Sequence, residues 1–520
     1  MRLPGSIAEA RRWLTTSWQC RVRIFDAALS SALILALALP VGRFLSALPE
    51  RLRYPWELEW MEGGIVSHIG VLLAGQPLYR APSLTFTPFI YPPFYYYVSA
   101  LLAKLVGLGY FAPRLVSTVS IAGCFGLLFF WVWREVQSRL AAWVAVGLFA
   151  ASYDLSGRWF DIARGDSLLL LLLLLACVCA RFWHGVRGCV ATGALLALAF
   201  FTKQTALILA LPVLLALILR LPRQGWIASA TFVACVALGV AALDLHSAGW
   251  FSFYVFKLPA QHPVLWGSWR QVLLAPIWPW IAPMAIASLA VVCGVPLLRE
   301  GVRAWPASGL FVLCACGGST SALLHSGGYA NVLMPAFAAM AMASALCVAR
   351  VRSVTGPFRM RLRVFAAAFV FLQLALLSFG ATAARPRLGD RQAGAQLIER
   401  LAQIPGPLWC TASNYYPVLA GHPEQLTHVM GLVDVFKGNS PKVKRRLLSQ
   451  LERELASGRV RTIVLDRAAG FLPDSVVALI HANYELTSHL MAPDDVQTLW
   501  PNTGAEIRPD EVWSFVPQGH

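Results

Sequence analysis

The first 384 residues alternate between long apolar runs and short polar breaks. A bilayer core of about 30 Å needs about 20 apolar residues in a helix. The pattern predicts eleven spans: Phe25–Ser46, Ala112–Trp133, Leu140–Leu155, Ser167–Trp183, Gly188–Phe201, Thr205–Leu219, Trp226–Leu245, Gln271–Leu298, Pro306–Leu324, Tyr329–Ala349 and Val364–Ala384. Two stretches do not follow the alternation. One is the loop between the first two spans, 47–111. Within it, Tyr91–Gly109 is apolar but carries Lys104, two prolines and an aromatic cluster, and so predicts an interfacial or re-entrant helix rather than a further span. The other is the tail, 385–520. Its pattern predicts helix 390–403, strands 407–411 and 417–420, helix 441–457, strand 461–466, helix 473–482 and later strands, a small α/β domain.

Basic residues orient the spans. Arg2, Arg11, Arg12, Arg21 and Arg23 precede the first. Arg134/Arg139, Arg181/Arg187, Arg220/Arg223 and Arg299/Arg303 follow at every second loop, and Arg350, Arg352, Arg359, Arg361 and Arg363 precede the last. With eleven spans all of them lie on one side. The N-terminus is then cytoplasmic, and the 47–111 loop and the tail lie outside. The Arg-rich start followed by an apolar run reads as a retained first helix, not a cleaved leader.

Composition agrees: 58% hydrophobic and 13% charged residues exclude an ordinary soluble domain, which carries about 25% charged residues. The net charge of +17 looks at first like an affinity for nucleic acid. The tail, however, holds equal numbers of acidic and basic residues. The excess lies in the membrane part, mostly on the cytoplasmic side, so it is a topology signal and no nucleic-acid partner is expected. The cysteines form no C-x-x-C pair, and Cys177/Cys179 and Cys314/Cys316 read as packing residues within apolar helices.

Carboxylates are scarce before residue 385, and most fall in two outer-face patches, Glu50–Gly64 and Asp154–Asp166. Ionisable groups at membrane depth are costly and point to function. Glu50, Glu57 and Asp154 read as solvated loop charges. Glu62 and Asp166 each stand where a helix begins, which holds a carboxylate at the membrane surface. Arg114, Arg158 and Arg164 lie beside these patches, and Lys203 interrupts an apolar run. A carboxylate among such cations suits removal of a proton from a hydroxyl while the cations stabilise a departing phosphate. His246, His262 and His325 lack metal-ligand spacing. The basic run 442–446 reads as a solvated helix face.

Several short motifs occur in a defined order: W-M-E-G-G (60–64), L-L-A-G-Q-P-L-Y (72–79), Y-P-P-F-Y-Y-Y (91–97), P-R-L-V-S (113–117), A-R-G-D-S (163–167), F-T-K-Q-T (201–205) and G-Y-A-N-V-L-M-P (328–335). In order and placement the chain resembles the GT-C glycosyltransferases of the protein O-mannosyltransferase-like superfamily, which includes the lipid A aminoarabinose transferase. The resemblance covers about 56–340. It implies an all-α polytopic GT-C catalytic domain, which the apolar pattern extends over 1–384, with the extracytoplasmic α/β domain read from the tail over 385–520. It implies transfer of a sugar, with inversion, from a polyprenyl-phosphate donor to an acceptor hydroxyl on a glycan, lipid or protein, at the periplasmic face of a bacterial inner membrane. Carried onto this chain, Glu62 takes the first acidic position, with Glu59 as its substitute, and Asp166 takes the second. Arg114, Lys203 and Arg164 face the donor phosphate, while Tyr91, Tyr329 and Asn331 line the lipid side. Many relatives carry Asp-Glu where this chain has Met61-Glu62, which leaves Glu59 and Glu62 as alternative bases. No cofactor is called for, and dependence on a divalent metal differs among such enzymes. The alternative function is a lipid or glycan transporter, which would place its charges at midplane and show repeat symmetry.

Overall fold

The structure, a computed structural model, describes residues 7–265, 267, 277–293, 307–325, 327–378, 380–466, 470–491 and 498–517. The Arg299/Arg303 loop and parts of the predicted spans 271–298 and 306–324 lie outside the described residues. Nine helices open the chain: α1 Ile7–Leu52, α2 Glu62–Leu73, α3 Phe94–Val106, α4 Phe111–Val136, α5 Arg139–Ala151, α6 Asp166–Phe182, α7 Val186–Thr202, α8 Ala206–Arg220 and α9 Pro222–Ser247. Helices at Ile277–Cys293, Ala307–Leu324, Met334–Arg352 and Arg359–Leu376 follow. Four helices, at Cys20–Leu52, Phe111–Val136, Pro222–Ser247 and Ala330–Arg352, are long and apolar enough to cross a membrane. Helices also stand at the positions of the other predicted spans, the last of them ending at Leu376, and α3 occupies the predicted interfacial segment.

The outside of the bundle carries many large apolar side chains. In α1, Leu33 and Leu37 are buried while Leu35 and Leu39 are exposed, and Leu238 and Leu245 of α9 stand open. Exposed apolar surface on this scale requires a lipid-like environment. The interior splits into two apolar clusters, and α6 serves both. Leu168, Leu169, Leu172 and Leu173 belong to the cluster that also holds residues of α2, α3, α4, α7 and α8. Leu170, Leu174 and Cys177 belong to the cluster that also holds residues of α1, α4, α5 and the helices after residue 277. A leucine run buried on every side suits a helix with partners all round, and it fixes the first residue of α6, Asp166, between the two halves.

Small residues allow close helix contacts. A Cβ on Gly147 of α5 would lie 2.7 Å from Leu37 Cδ2 and 2.8 Å from the Leu37 carbonyl oxygen. The carbonyl cannot rotate away, so Gly147→Ala is expected to push α1 off α5. The expected cost is about 1–3 kcal/mol, read as a lower midpoint of thermal unfolding in detergent. An unchanged midpoint would contradict this packing.

In the tail, β1 Leu408–Cys410, β2 Thr462–Leu465, β3 Tyr484–His489 and β4 Glu511–Phe515 form one sheet in the order β1-β2-β4-β3. The β1/β2 pair is parallel and the other two pairs are antiparallel. Helices at Asp390–Ala402, Pro441–Ala456 and Asp474–Asn483 match the expected ones closely. Two expectations fail. The segment 417–420, expected as a strand, is a helical turn, Tyr416–Leu419, with Pro417 in its first turn, where its missing N–H costs nothing. A helix at Val429–Lys437 was not expected, because its nine residues are too short for periodicity to settle.

Candidate active site

The loop after α1 and the loop before α6 meet on one end of the bundle, and their charges pair there. Glu62, the first residue of α2, is fully buried and fully bonded. Its Oε1 accepts from Arg114 Nε at 2.9 Å and from the Ala163 amide at 2.7 Å. Its Oε2 accepts from Arg114 Nη2 at 2.5 Å and from the Leu58 amide at 2.7 Å. Arg114 donates its other N–H groups to the carbonyls of Arg51, Tyr54 and Trp56. All five guanidinium donors are used, and the side chain is 0% exposed. Burial pushes the Glu62 carboxyl up, but Arg114 and the two amides outweigh it and hold it below the usual carboxylate range. The geometry makes this pair a clamp joining α2, α4 and the Asp154–Asp166 loop. In this arrangement Glu62 has no lone pair free to take a proton, and Arg114 no donor free for a phosphate.

Glu59 is bonded differently. It is 1% exposed. One oxygen, Oε2, accepts from the Met61 amide at 3.2 Å and faces Arg164 Nη1 at 3.4 Å. Its Oε1 has no hydrogen-bond donor among the described residues. Burial pushes its carboxyl up to about 7, against the pull of Arg164. Gly504 lies over it: a Cβ there would be 3.4 Å from Oε1. Gly504, with φ +80°, is one of the few positions where a side chain would be both strained and pressed onto the carboxylate.

Arg164 carries the contact onward. Its Nη2 donates to Tyr91 Oη at 2.9 Å, and its guanidinium lies over the rings of Tyr91 and Trp159 at 5.3 and 5.5 Å. Beyond Tyr91 stands Lys203, at the break between α7 and α8, with Nζ 5.9 Å from the Tyr91 ring. Lys203 Nζ donates to Asp166 Oδ1 at 2.6 Å. Asn331 Nδ2 donates to the same oxygen at 2.9 Å, and Trp159 Nε1 donates to Oδ2 at 3.1 Å. An ammonium has three protons, and the bond to Asp166 uses one. Two small cavities of about 20 Å³ each share Asp166 and Lys203. One is walled by Tyr91, Tyr95 and Tyr96, the other by Leu209, Asn331 and Pro335. A larger cleft of about 500 Å³ opens beside Gly504 and Tyr329, with Arg158, Arg385 and Arg387 on its walls. The ring of Tyr329, 43% exposed, packs on Trp159 at 5.1 Å.

The structure therefore brings Glu59, Arg164, Tyr91, Lys203, Asp166, Asn331 and Tyr329 into one connected cluster and sets Glu62 and Arg114 behind it as a closed pair. Glu57, expected as a solvated charge, is buried instead and accepts from Ser413 Oγ at 2.8 Å, which ties the loop to the tail. Glu50 and Asp154 are exposed as expected. Sequence reasoning missed Trp159, although it sits inside the second acidic patch. It also missed the buried Arg51–Asp161 pair at 2.6 Å, and the contact of Gly504 with Glu59, for which no sequence signal exists. Among the described residues no three His, Cys, Asp or Glu side chains gather as a metal site.

Comparison with known proteins bears on this arrangement. Residues 91–247 match the family model described as dolichyl-phosphate-mannose-protein mannosyltransferase. No curated protein matches by sequence. Among solved structures the chain is similar to ArnT from Cupriavidus metallidurans in the apo state, with TM-score 0.55 and 13% identity over 94% of this chain and 99% of that one. It is similar to the same protein bound to undecaprenyl phosphate, with TM-score 0.54 and 13% identity over 93% and 98%. The resemblance read from the motifs holds: the chain has the GT-C fold of ArnT, and its residues 91–247 carry the sequence pattern of the dolichyl-phosphate-mannose-protein mannosyltransferases.

Proposed function

We propose that the protein is an integral membrane glycosyltransferase that moves a sugar from a polyprenyl-phosphate donor to an acceptor hydroxyl, with inversion. The observation that carries this reading is the cluster itself. A buried carboxyl whose proton affinity is raised to about 7 is joined through Arg164 and Tyr91 to the Lys203–Asp166 pair. In the reaction the acceptor oxygen attacks the anomeric carbon on the face opposite the phosphate, and Glu59 takes the hydroxyl proton. The glycosidic C–O bond breaks, and its electron pair leaves with the prenyl phosphate. Lys203 and Arg164 stabilise that charge, Asp166 and Asn331 orient Lys203, and Tyr91 and Tyr329 line the lipid side. Met61, at the place where many relatives carry Asp, cannot act as a base, so that role falls to Glu59.

The same reading divides the chain into a catalytic membrane part, 1–384, with eleven spans, and an extracytoplasmic α/β domain, 385–520. It places the protein in a bacterial inner membrane with its N-terminus cytoplasmic. The ArnT structure holding undecaprenyl phosphate supports the donor class. A transporter would place its charges at midplane and show repeat symmetry, whereas these groups gather where the loops meet at one end of the bundle. The test uses the purified protein in liposomes with a panel of radiolabelled undecaprenyl-phosphate hexoses and pentoses and a membrane extract as acceptor. Wild type is expected to move label from at least one donor into the acceptor fraction. Lys203→Ala is expected to weaken apparent donor affinity by about tenfold or more. If wild type consumes none of the panel, or if Lys203→Ala keeps the wild-type donor affinity, the reading fails.

A further inference from the structure

A second cavity lies at the opposite end of the bundle, about 25 Å along α6 from Asp166 at 1.5 Å per residue. A cavity of about 110 Å³ opens there between α4, α6, α8 and the helix Ala307–Leu324. Its floor is apolar, with Trp131, Leu217 and Phe311. Arg181, His184 and Arg220 stand among its lining residues. Trp131 is 1% exposed, yet among the described residues its Nε1–H donates to nothing. A buried indole N–H without an acceptor is costly. Arg181 is paired with Glu135, both bonds 3.2 Å. Arg220 makes no hydrogen bond or ion pair among the described residues, so its charge is available. One end of this cavity therefore wants an anion, the middle wants a hydrogen-bond acceptor, and the rest wants hydrocarbon.

We infer that this cavity binds one anionic diacyl phospholipid, with its phosphate at Arg220, an acyl-ester carbonyl on Trp131 Nε1 and the start of an acyl chain over Leu217 and Phe311. The ester carbonyl separates this occupant from a polyprenyl phosphate, which has a phosphate and an apolar tail but no carbonyl between them. The site shares no residue with the cluster around Glu59, so it does not depend on the proposed transfer reaction.

The test is lipid titration of the delipidated full-length protein by native mass spectrometry. Phosphatidylglycerol is expected to bind wild type more tightly than phosphatidylcholine. Arg220→Gln and Trp131→Phe are each expected to weaken it by about tenfold. The ether-linked analogue of phosphatidylglycerol lacks the carbonyl. It is expected to bind wild type about as weakly as the ester lipid binds Trp131→Phe, and to be indifferent to that substitution. Unchanged phosphatidylglycerol binding in both variants would overturn the proposal. So would equal affinity for ester and ether lipids, or displacement of phosphatidylglycerol from this site by a lower concentration of undecaprenyl phosphate.

Discussion

Glu59→Gln is expected to lower sugar transfer by about 10³-fold, within the range for loss of a general base, while leaving the protein folded. Glutamine keeps the shape of the side chain and its acceptance from the Met61 amide, but cannot take the acceptor's proton. The pH dependence gives an independent reading. Burial raises the Glu59 carboxyl to about 7, and only the ionised form is a base. Wild-type activity is therefore expected to rise with pH, to be half-maximal at about 7 and to level off roughly a unit above it. The sign for stability is opposite. The folded state holds the Glu59 proton more tightly than the unfolded state, whose value is near 4.5. The favourable contribution is complete below that value and is lost as pH rises through about 7. The shift corresponds to about 3 kcal/mol. Glu59→Gln should accordingly be at least as stable as wild type at pH 8 while being inactive. An active Glu59→Gln variant, or a flat pH profile between 5 and 8, would move the base elsewhere.

Glu62→Gln is expected to act through stability. It leaves the Arg114 charge buried with only carbonyls and an amide for partners, and breaking one side of such a pair costs about 3–5 kcal/mol. The signature is a lower unfolding midpoint and poor accumulation in membranes, along with lost activity. Arg114→Met should do the same, because it strands the Glu62 carboxylate among the Leu58 and Ala163 amides. The double variant should recover part of the loss, since neither charge is then left alone. Arg114 and the amides hold the Glu62 carboxyl below its ordinary value despite burial, so its contribution is present above the unfolded value and fades as pH falls toward the folded one. If Glu62→Gln kept wild-type stability while losing only turnover, the pair would be part of the chemistry and not a clamp.

The contrast between these two glutamates marks how far the sequence could be read. The alternation of apolar runs and arginine-bearing breaks anticipated most of the helices, because hydrophobic length is a local property. Lys203 and Asp166 were also legible, since a charge that interrupts or opens an apolar run needs a partner, and each supplies the other's. What one-dimensional spacing could not give was the bonding of Glu62. The helix start at Glu62 favours it over Glu59, three residues earlier, until the Arg114 fork and the Ala163 amide are placed. Arg114, at the start of an apolar run, gave the same outward signal as Lys203, yet all its donors turn inward. Pro417 misled because a short apolar run with a proline suits a strand edge and a helical first turn equally. Trp159 lay in plain view, but an indole in a membrane loop is ordinarily read as an interfacial anchor.

The cover over Glu59 has a consequence for how the protein is made. The residues that close it, Thr503 and Gly504, are synthesised only after every helix of the bundle. Asn502, beside them, bonds to Arg51 at the end of α1 and lies near the carbonyl of Ala384, where the last apolar helices give way to the tail. A chain whose last residues have not yet been made therefore leaves the Glu59 carboxyl open to water, although Arg164 is already in place. The Glu59 carboxyl is shielded only when the last part of the tail has packed against it. Completion of the cluster thus waits for the last part of the chain to be made and to pack against the end of the bundle.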